Sequence, residues 1–548
     1  MRRRGRRKRW ELSEWAVWRR WELSEWAVWR RWDLSDRTAG TLLAILAVAT
    51  LARVVGVTRW SLWLDEIYSA SLRTQEPLAQ LLYVPYDPHP PLYFLLMRGW
   101  TAVWGTGPVA VRSLSVLLSV ATVLGMFVLG RALFDVDTGL IAAAFFALST
   151  TQIHFGRTAR MYPLFALLTV ASLYYFARLP AERRGTDLLY VGSRTDLLYV
   201  GSTVALLYTH VFGVFVVLGE HLAMGARRGF VRQIEWRRWL GVSAAVGVLF
   251  LPWTLLLAEQ VLALLGGGTG GGVSIGWIPE PSLGLLRNTA FMYAGSPWEL
   301  YPIVSGNPAT IPLARAVLAI LALGVLLSLG GWKQWFGGRD GAAAGQGFRP
   351  TAIVLLVVLS TIVAVPYLTS MVLAPIYFPR FTVAAMVPLG LLVANGISRI
   401  RPRSLGILAI LLLLGSSLVL TATYYEGTTQ EPWEPATDVA ERTMEAGDLV
   451  VVQPSWATGY FAYYYTGDAG VATAAAVGLD SGGGGAGDGS TGGDGGAAGI
   501  PEGAEVCVFQ YGDAVAGPVE RFQTDAWQPT ASFEQGVIRT ACYAPRTR

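Results

Sequence analysis

The chain has 548 residues, 53% of them hydrophobic and only 15% charged. That balance excludes an ordinary soluble globular protein and fits one largely dissolved in lipid. The net charge of +5 says little, because from Tyr424 onward 17 acidic residues face 5 basic ones and the rest of the chain is correspondingly basic. Cys507 and Cys542 are too few for a disulfide framework, and no Cys/His spacing resembles a zinc site.

Residues 1–37 form an Arg- and Trp-rich tail in which Trp10–Arg20 recurs as Trp21–Arg31, with a third copy starting at Trp32. Eleven residues is close to three helical turns, so the Trp positions share one broad arc. Glu11, Glu14, Glu22 and Glu25 fall on the same arc, which makes the amphipathicity poor. We read a duplication in a tolerant cytoplasmic tail; a membrane-surface helix is the alternative. The repeat of Thr186–Arg194 in Thr195–Thr203 is read the same way.

A transmembrane domain is expected over 38–423. Its apolar stretches are 39–57, 109–130, 139–155, 161–177, 197–209, 211–225, 239–258, 312–330, 351–370, 381–397 and 405–423. The fifth and sixth are short, with a break near Thr209-His210. Stretch 91–104 follows Pro90-Pro91 and contains Arg98, which suggests an interfacial or re-entrant helix. With a cytoplasmic N-terminus and alternating spans, 28 Lys and Arg fall inside and 7 outside. Loops 58–108 and 259–310 and the acidic 424–548 domain are then extracytoplasmic on a multi-pass cell-membrane protein. Arg53 and Arg112 lie in or near apolar runs, so each requires a partner.

Within the acidic domain, 435–446 reads as a helix and Leu449–Val452, 504–509 and 537–543 as strands. A Cys507–Cys542 disulfide and two buried thiols are both open readings. The Gly-rich tract 478–499 reads as a disordered loop, and Gly266–Gly272 as a lid hinge or a plain linker.

The chemistry-bearing residues come in a particular order. Asp65-Glu66 follows the first span, and Asp87-Pro88-His89-Pro90-Pro91-Leu92-Tyr93-Phe94 comes next. Phe155-Gly156-Arg157-Thr158-Ala159-Arg160-Met161-Tyr162, Ile275-Gly276-Trp277-Ile278-Pro279, Pro281-Ser282-Leu283, Phe378-Pro379-Arg380-Phe381 and Trp433–Val452 follow. In this order the set resembles the GT-C membrane glycosyltransferases, in particular the family 39-like group of protein O-mannosyltransferases and lipid A aminoarabinose transferases. Phe381 stands where that group usually has Tyr.

The apolar stretches give about 11 transmembrane helices, and the resemblance implies an all-α polytopic GT-C-like fold with a small α/β C-terminal domain. It also implies transfer of a sugar from a polyprenyl-phosphate donor. An acceptor hydroxyl is a weak nucleophile, so a base is needed, and Asp65 is the candidate. Glu66 is assigned to orienting the acceptor or tuning Asp65; a solvated helix N-terminus is the bland reading of the pair. His89 and Asp87 are candidates for the sugar or phosphate, against a water-facing turn. Arg160 and Arg380 suit the leaving phosphate, against ordinary snorkelling, and Tyr162 suits the sugar pocket, against packing. No cofactor is required; a divalent cation on Asp65 and His89 is the weaker alternative. The expected partners are the lipid-linked donor, the bilayer and a protein, glycan or lipid acceptor, with no nucleic acid. A transporter or flippase would place polar groups at mid-membrane and repeat its halves, and an inactive scaffold relative is the third reading.

Overall fold

The computed structural model describes residues 35–72, 89–179, 193–227, 236–265, 277–296, 310–330, 342–427, 431–477, 500–501, 503–512, 522 and 526–546. The N-terminal repeats, Asp87, the Gly266–Gly272 run and tract 478–499 lie outside these residues.

Each of the eleven apolar stretches coincides with a helical segment. They are α1 (Asp36–Val54), α4 (Pro108–Leu133), the pair α5 (Val136–Leu148) and α6 (Thr150–Gly156), α7 (Tyr162–Arg178), α8 (Arg194–Leu207), α9 (Gly213–Arg227) and α10 (Trp236–Leu265). They continue with α12 (Ile311–Leu329), α13 (Ala342–Val372), a 3-10 turn Pro379–Ala385 running into α14 (Met386–Ser398), and α15 (Arg403–Glu426). Between them stand a short α2 (Leu64–Ile67), α3 (Leu92–Trp104) and α11 (Leu283–Tyr293). Among the described residues seven helices are long and apolar enough to cross a membrane, or eight when α5 and α6, bent by 64°, count as one span. The others, α7 to α9, have 17, 14 and 15 residues and fall short in length.

The burial pattern is that of a lipid-dissolved bundle. Leu43, Leu51, Val248, Leu249 and Leu411 are exposed on helix faces, whereas the span ending in α14 is 94% buried and forms the central helix. Small residues let that helix approach its neighbours. A Cβ on Gly396 would collide with the Gly324 carbonyl oxygen, so α12 and α14 touch backbone to backbone there. Helix ends follow local chemistry: Ser35 caps α1, Asp135 caps α5, and Pro108 opens α4. At the α5–α6 break the carbonyls freed within the bundle are taken by Arg53, which donates to Phe146 O (3.0 Å) and Ala147 O (3.1 Å), and to Ser119 Oγ (2.7 Å). Arg53 is fully buried and serves there as an internal cap.

The C-terminal domain pairs α16 (Trp433–Thr443) and α17 (Thr458–Tyr464) with a five-stranded sheet. Its strands are β1 (Leu449–Gln453), β2 (Gly470–Thr473), β3 (Val506–Tyr511), β4 (Trp527–Gln535) and β5 (Ile538–Pro545), in spatial order β2-β1-β3-β5-β4. β1 is parallel to β2 and β3, while β5 runs antiparallel to both β3 and β4. Cys507 and Cys542 are direct partners in the β3–β5 register and form a disulfide. Trp433 is fully buried and stacks on Phe509 and Tyr511, each with ring centroids 5.3 Å away. Its core is continuous with Leu62, Ile67, Tyr93, Phe94 and Met161, so the domain is seated on the segments that follow α1 and precede α7.

The Gly324–Gly396 contact gives a direct check. Gly396→Ala forces the central helix from α12 and is expected to destabilise the protein by about 1–3 kcal/mol, read as a lowered thermal midpoint in detergent. Gly415→Ala, where a Cβ meets open space, is expected to leave the midpoint unchanged.

Candidate active site

Asp65 and Glu66 lie in the first turn of the four-residue helix α2, yet they have different environments. Glu66 is buried. Its Oε1 accepts Arg112 Nε at 2.9 Å and the Ala159 amide at 2.7 Å, and its Oε2 accepts Arg112 Nη2 at 2.6 Å. The other Arg112 donors reach the carbonyls of Val57 (2.6 Å), Trp60 (2.9 Å) and Ser61 (3.0 Å). Glu66 thus ties α2 to α4 and to the turn before α7, and the buried pair holds its geometry through every available donor and acceptor.

Asp65 is flanked rather than clamped. Its Oδ2 lies 3.7 Å from Arg160 Nε and 3.7 Å from Arg380 Nη2, beyond hydrogen-bond length, and its side chain is 19% exposed. Arg160 is oriented by Ser69: its Nη1 donates to Ser69 Oγ at 2.9 Å, and that hydroxyl donates to the Asp65 carbonyl at 2.8 Å. Arg380 projects from the 3-10 turn before α14. That turn is held from α11, where the Tyr293 hydroxyl donates to Thr382 Oγ1 at 2.6 Å and to Thr382 O at 3.0 Å. The Arg380 guanidinium carbon lies 5.5 Å from the Trp63 ring, 5.2 Å from Trp277, 5.1 Å from Phe378 and 5.9 Å from Phe381. Aromatic faces suit guanidinium without supplying an acceptor. Its Nε is buried without a hydrogen-bond partner.

His89, Tyr162 and Phe381 gather around a residue that sequence reasoning passed over, His210 in the turn between α8 and α9. Ring centroids are 4.9 Å apart for His89–His210, 5.9 Å for Tyr162–His210 and 5.6 Å for His210–Phe381. His210 stacks on Phe165 at 4.7 Å, and its Nδ1 accepts the Phe212 amide at 3.1 Å. An accepting Nδ1 fixes the other tautomer, so Nε2 carries the hydrogen. That Nε2 is buried with no partner. The sequence signal was present only as a helix break at Thr209-His210. Trp277 was visible only as part of a motif; its ring lies beside Arg380. Phe381 packs against His89, His210 and Trp277 and offers no hydroxyl.

The structure therefore brings Asp65, Arg160 and Arg380 together directly and sets His89, Tyr162 and His210 in one aromatic cluster joined to Arg380 through Phe381. Asp87 lies outside the described residues. Among those residues no group of three or more His, Cys, Asp or Glu side chains is placed to hold a metal ion. The arrangement offers a part-exposed carboxylate able to take a proton, two guanidinium groups that suit an anion, and one buried N–H donor.

Residues 88–254 match the family of dolichyl-phosphate-mannose-protein mannosyltransferases. None of the curated proteins matches the sequence. Among solved structures, ArnT from Cupriavidus metallidurans in the apo state is similar at 13% identity and TM-score 0.53, over 92% of this chain and 98% of that one. The same protein bound to undecaprenyl phosphate gives 14% identity and TM-score 0.51 over the same shares. The oligosaccharyltransferase AglB from Archaeoglobus fulgidus, in complex with an inhibitory peptide and a dolichol-phosphate, gives 13% identity and TM-score 0.51 over 79% of this chain. The present chain spans 64% of the length of that archaeal enzyme. At such identities the likeness is one of fold. The chain shares its fold with ArnT and AglB, a GT-C-like fold of the kind its motifs implied.

Glu66 and Arg112 are expected to matter for folding. Arg112→Leu leaves a buried carboxylate uncompensated and is expected to cost about 3–5 kcal/mol, measured by chemical unfolding of the detergent-solubilised protein.

Proposed function

We propose that the chain is a membrane glycosyltransferase. It moves a sugar from a polyprenyl-phosphate donor to an acceptor on the extracytoplasmic face, with inversion at the anomeric carbon. The observation that carries this reading is the placing of one Asp65 carboxylate oxygen 3.7 Å from both Arg160 and Arg380. The family match over 88–254 and the GT-C fold support the choice of a lipid-phosphate donor.

In the proposed reaction the acceptor hydroxyl attacks the anomeric carbon in one displacement. Its proton passes to Asp65 as the new glycosidic bond forms, a contribution worth about 10²–10⁴-fold. The bond from the anomeric carbon to the phosphate oxygen breaks, and its electron pair leaves on the phosphate. Arg380 and Arg160 face that growing negative charge, and the unpartnered Nε of Arg380 gives it a direction still open for an acceptor atom. The Nε2–H of His210 is assigned to an oxygen of the bound donor, because a buried donor without a partner is costly and a ligand oxygen would satisfy it. His89 and Tyr162 are assigned to the same donor pocket. Glu66 is assigned to holding the turn on which Asp65 sits, with no direct contact to substrate. The acceptor is a protein, a glycan or a lipid.

No step in this scheme uses a metal, since two guanidinium groups supply the positive charge. Transfer is expected to persist in EDTA to within about twofold, and a large loss restored by a divalent cation would require revising the site. Purified protein in nanodiscs, given a radiolabelled polyprenyl-phosphate sugar and cell-envelope acceptors, is expected to release unlabelled carrier phosphate and a product whose anomeric configuration, read by NMR, is opposite to the donor's. Retained configuration would rule out the single displacement. Arg380→Lys keeps the charge but loses the planar fork, and a fall in kcat of about 10²-fold is expected.

A further inference from the structure

The helix that carries Asp65 is too short to be stable alone. α2 runs straight into a π-helical stretch, Tyr68–Leu72, and nine residues together still cannot repay helix nucleation, so tertiary contacts must hold α2 in place. Glu66 supplies one hold, on the side facing α4 and α7. A second comes from the C-terminal domain, more than three hundred residues away in sequence.

Glu431 lies just before α16 and is 2% exposed. Its Oε2 accepts the amide of Leu64 at 2.7 Å and the indole Nε1 of Trp433 at 3.1 Å, and its Oε1 accepts the Tyr511 hydroxyl at 2.9 Å. The Leu64 amide belongs to the first helical residue of α2, whose donor has no partner within the helix. Asp65 is the next residue. A carboxylate from the C-terminal domain thus caps the turn that positions Asp65, with its own geometry set by Trp433 and Tyr511. Neighbouring contacts run the same way. The Tyr464 hydroxyl accepts the Leu62 amide at 2.6 Å, Ser61 Oγ accepts the Glu434 amide at 3.3 Å, and the Tyr463 hydroxyl donates to Thr106 O at 2.6 Å. Burial pushes the Glu431 carboxyl above the ordinary range, and the hydrogen bonds from Leu64, Trp433 and Tyr511 oppose that shift.

We propose that Glu431 is a positioning residue for Asp65, through which docking of the C-terminal domain sets the place of the catalytic carboxylate. The proposal rests on the assignment of Asp65 as the base. Glu431→Gln can keep these three hydrogen bonds: its carbonyl oxygen takes the two N–H donors, and its amide turns to the Tyr511 oxygen. Glu431→Ala keeps none.

The test compares full-length wild type, Glu431→Ala and Glu431→Gln in nanodiscs. Hydrogen–deuterium exchange is followed in peptides covering 61–68 and 506–511, together with kcat and KM for sugar transfer from the polyprenyl-phosphate donor. The expected result for Glu431→Ala is exchange at least about tenfold faster in 61–68. Strand β3 should remain protected, kcat should fall by about 10–100-fold and donor KM should hold within about twofold. Glu431→Gln is expected to restore both readouts to near wild type. Unchanged exchange in 61–68, or protection lost equally throughout the domain, would overturn the proposal, the latter by making Glu431 a general fold stabiliser. A Gln variant as impaired as the Ala variant would overturn it by showing that charge, and not the hydrogen bonds, matters. Absence of transfer in the wild type with every donor would count against the proposed function alone, because the exchange readout tests the coupling without turnover.

Discussion

The site depends on the buried pair of Glu66 and Arg112. A carboxylate and a guanidinium withdrawn from water are costly unless every donor and acceptor is matched, and here they are. Glu66 accepts two bonds from Arg112 and one from the Ala159 amide, while Arg112 gathers the carbonyls of Val57, Trp60 and Ser61. One ion pair therefore fixes the chain that leaves α1, the first turn of α4 and the turn just before Arg160. With these three strands of backbone fixed, Asp65 and Arg160 are held in register across 95 residues of sequence.

The adjacent acids stand in contrasting environments that suit the different roles proposed for them. Glu66 is satisfied and enclosed, whereas Asp65 keeps only long contacts with two arginines and a partly open face. A group that must accept a proton from an incoming hydroxyl needs an accessible oxygen, and a group that holds a fold together does not. The same contrast holds for arginines. Arg53 is consumed in capping the α5–α6 break, while Arg380 stands among aromatic rings with a donor still unused. The break itself is tolerated in a membrane bundle because buried side chains replace the missing backbone partners.

Much of this was legible in the sequence. The eleven apolar stretches all became helical, and the order of the motifs around them pointed to the GT-C fold. Asp65, Arg160 and Arg380, each near a span end, proved to be neighbours. Leu449–Val452 and both cysteine-bearing segments became paired strands, with the cysteines bonded. The partners of Arg53 and Arg112 were not legible, since they are mostly backbone carbonyls that no side-chain pattern announces. His210 was hidden because a lone histidine at a helix break usually signifies nothing; only its fixed tautomer and its ring neighbours single it out. Strands β2 and β4 escaped notice because β2 has four residues and β4 alternates weakly along a half-exposed edge. The contact of Glu431 with Leu64 joins distant parts of the chain and leaves no local trace.

The central claim is that Asp65 removes the acceptor proton. The most direct measurement is the single-turnover rate of sugar transfer by Asp65→Asn beside wild type, with donor binding measured separately on the same samples. Asn preserves the shape of the side chain and its place between the arginines but cannot take a proton. The account predicts a rate at least about 10²-fold lower with donor affinity changed little. Equal rates in the two proteins, with both folded and both binding donor, would contradict it and remove Asp65 as the base.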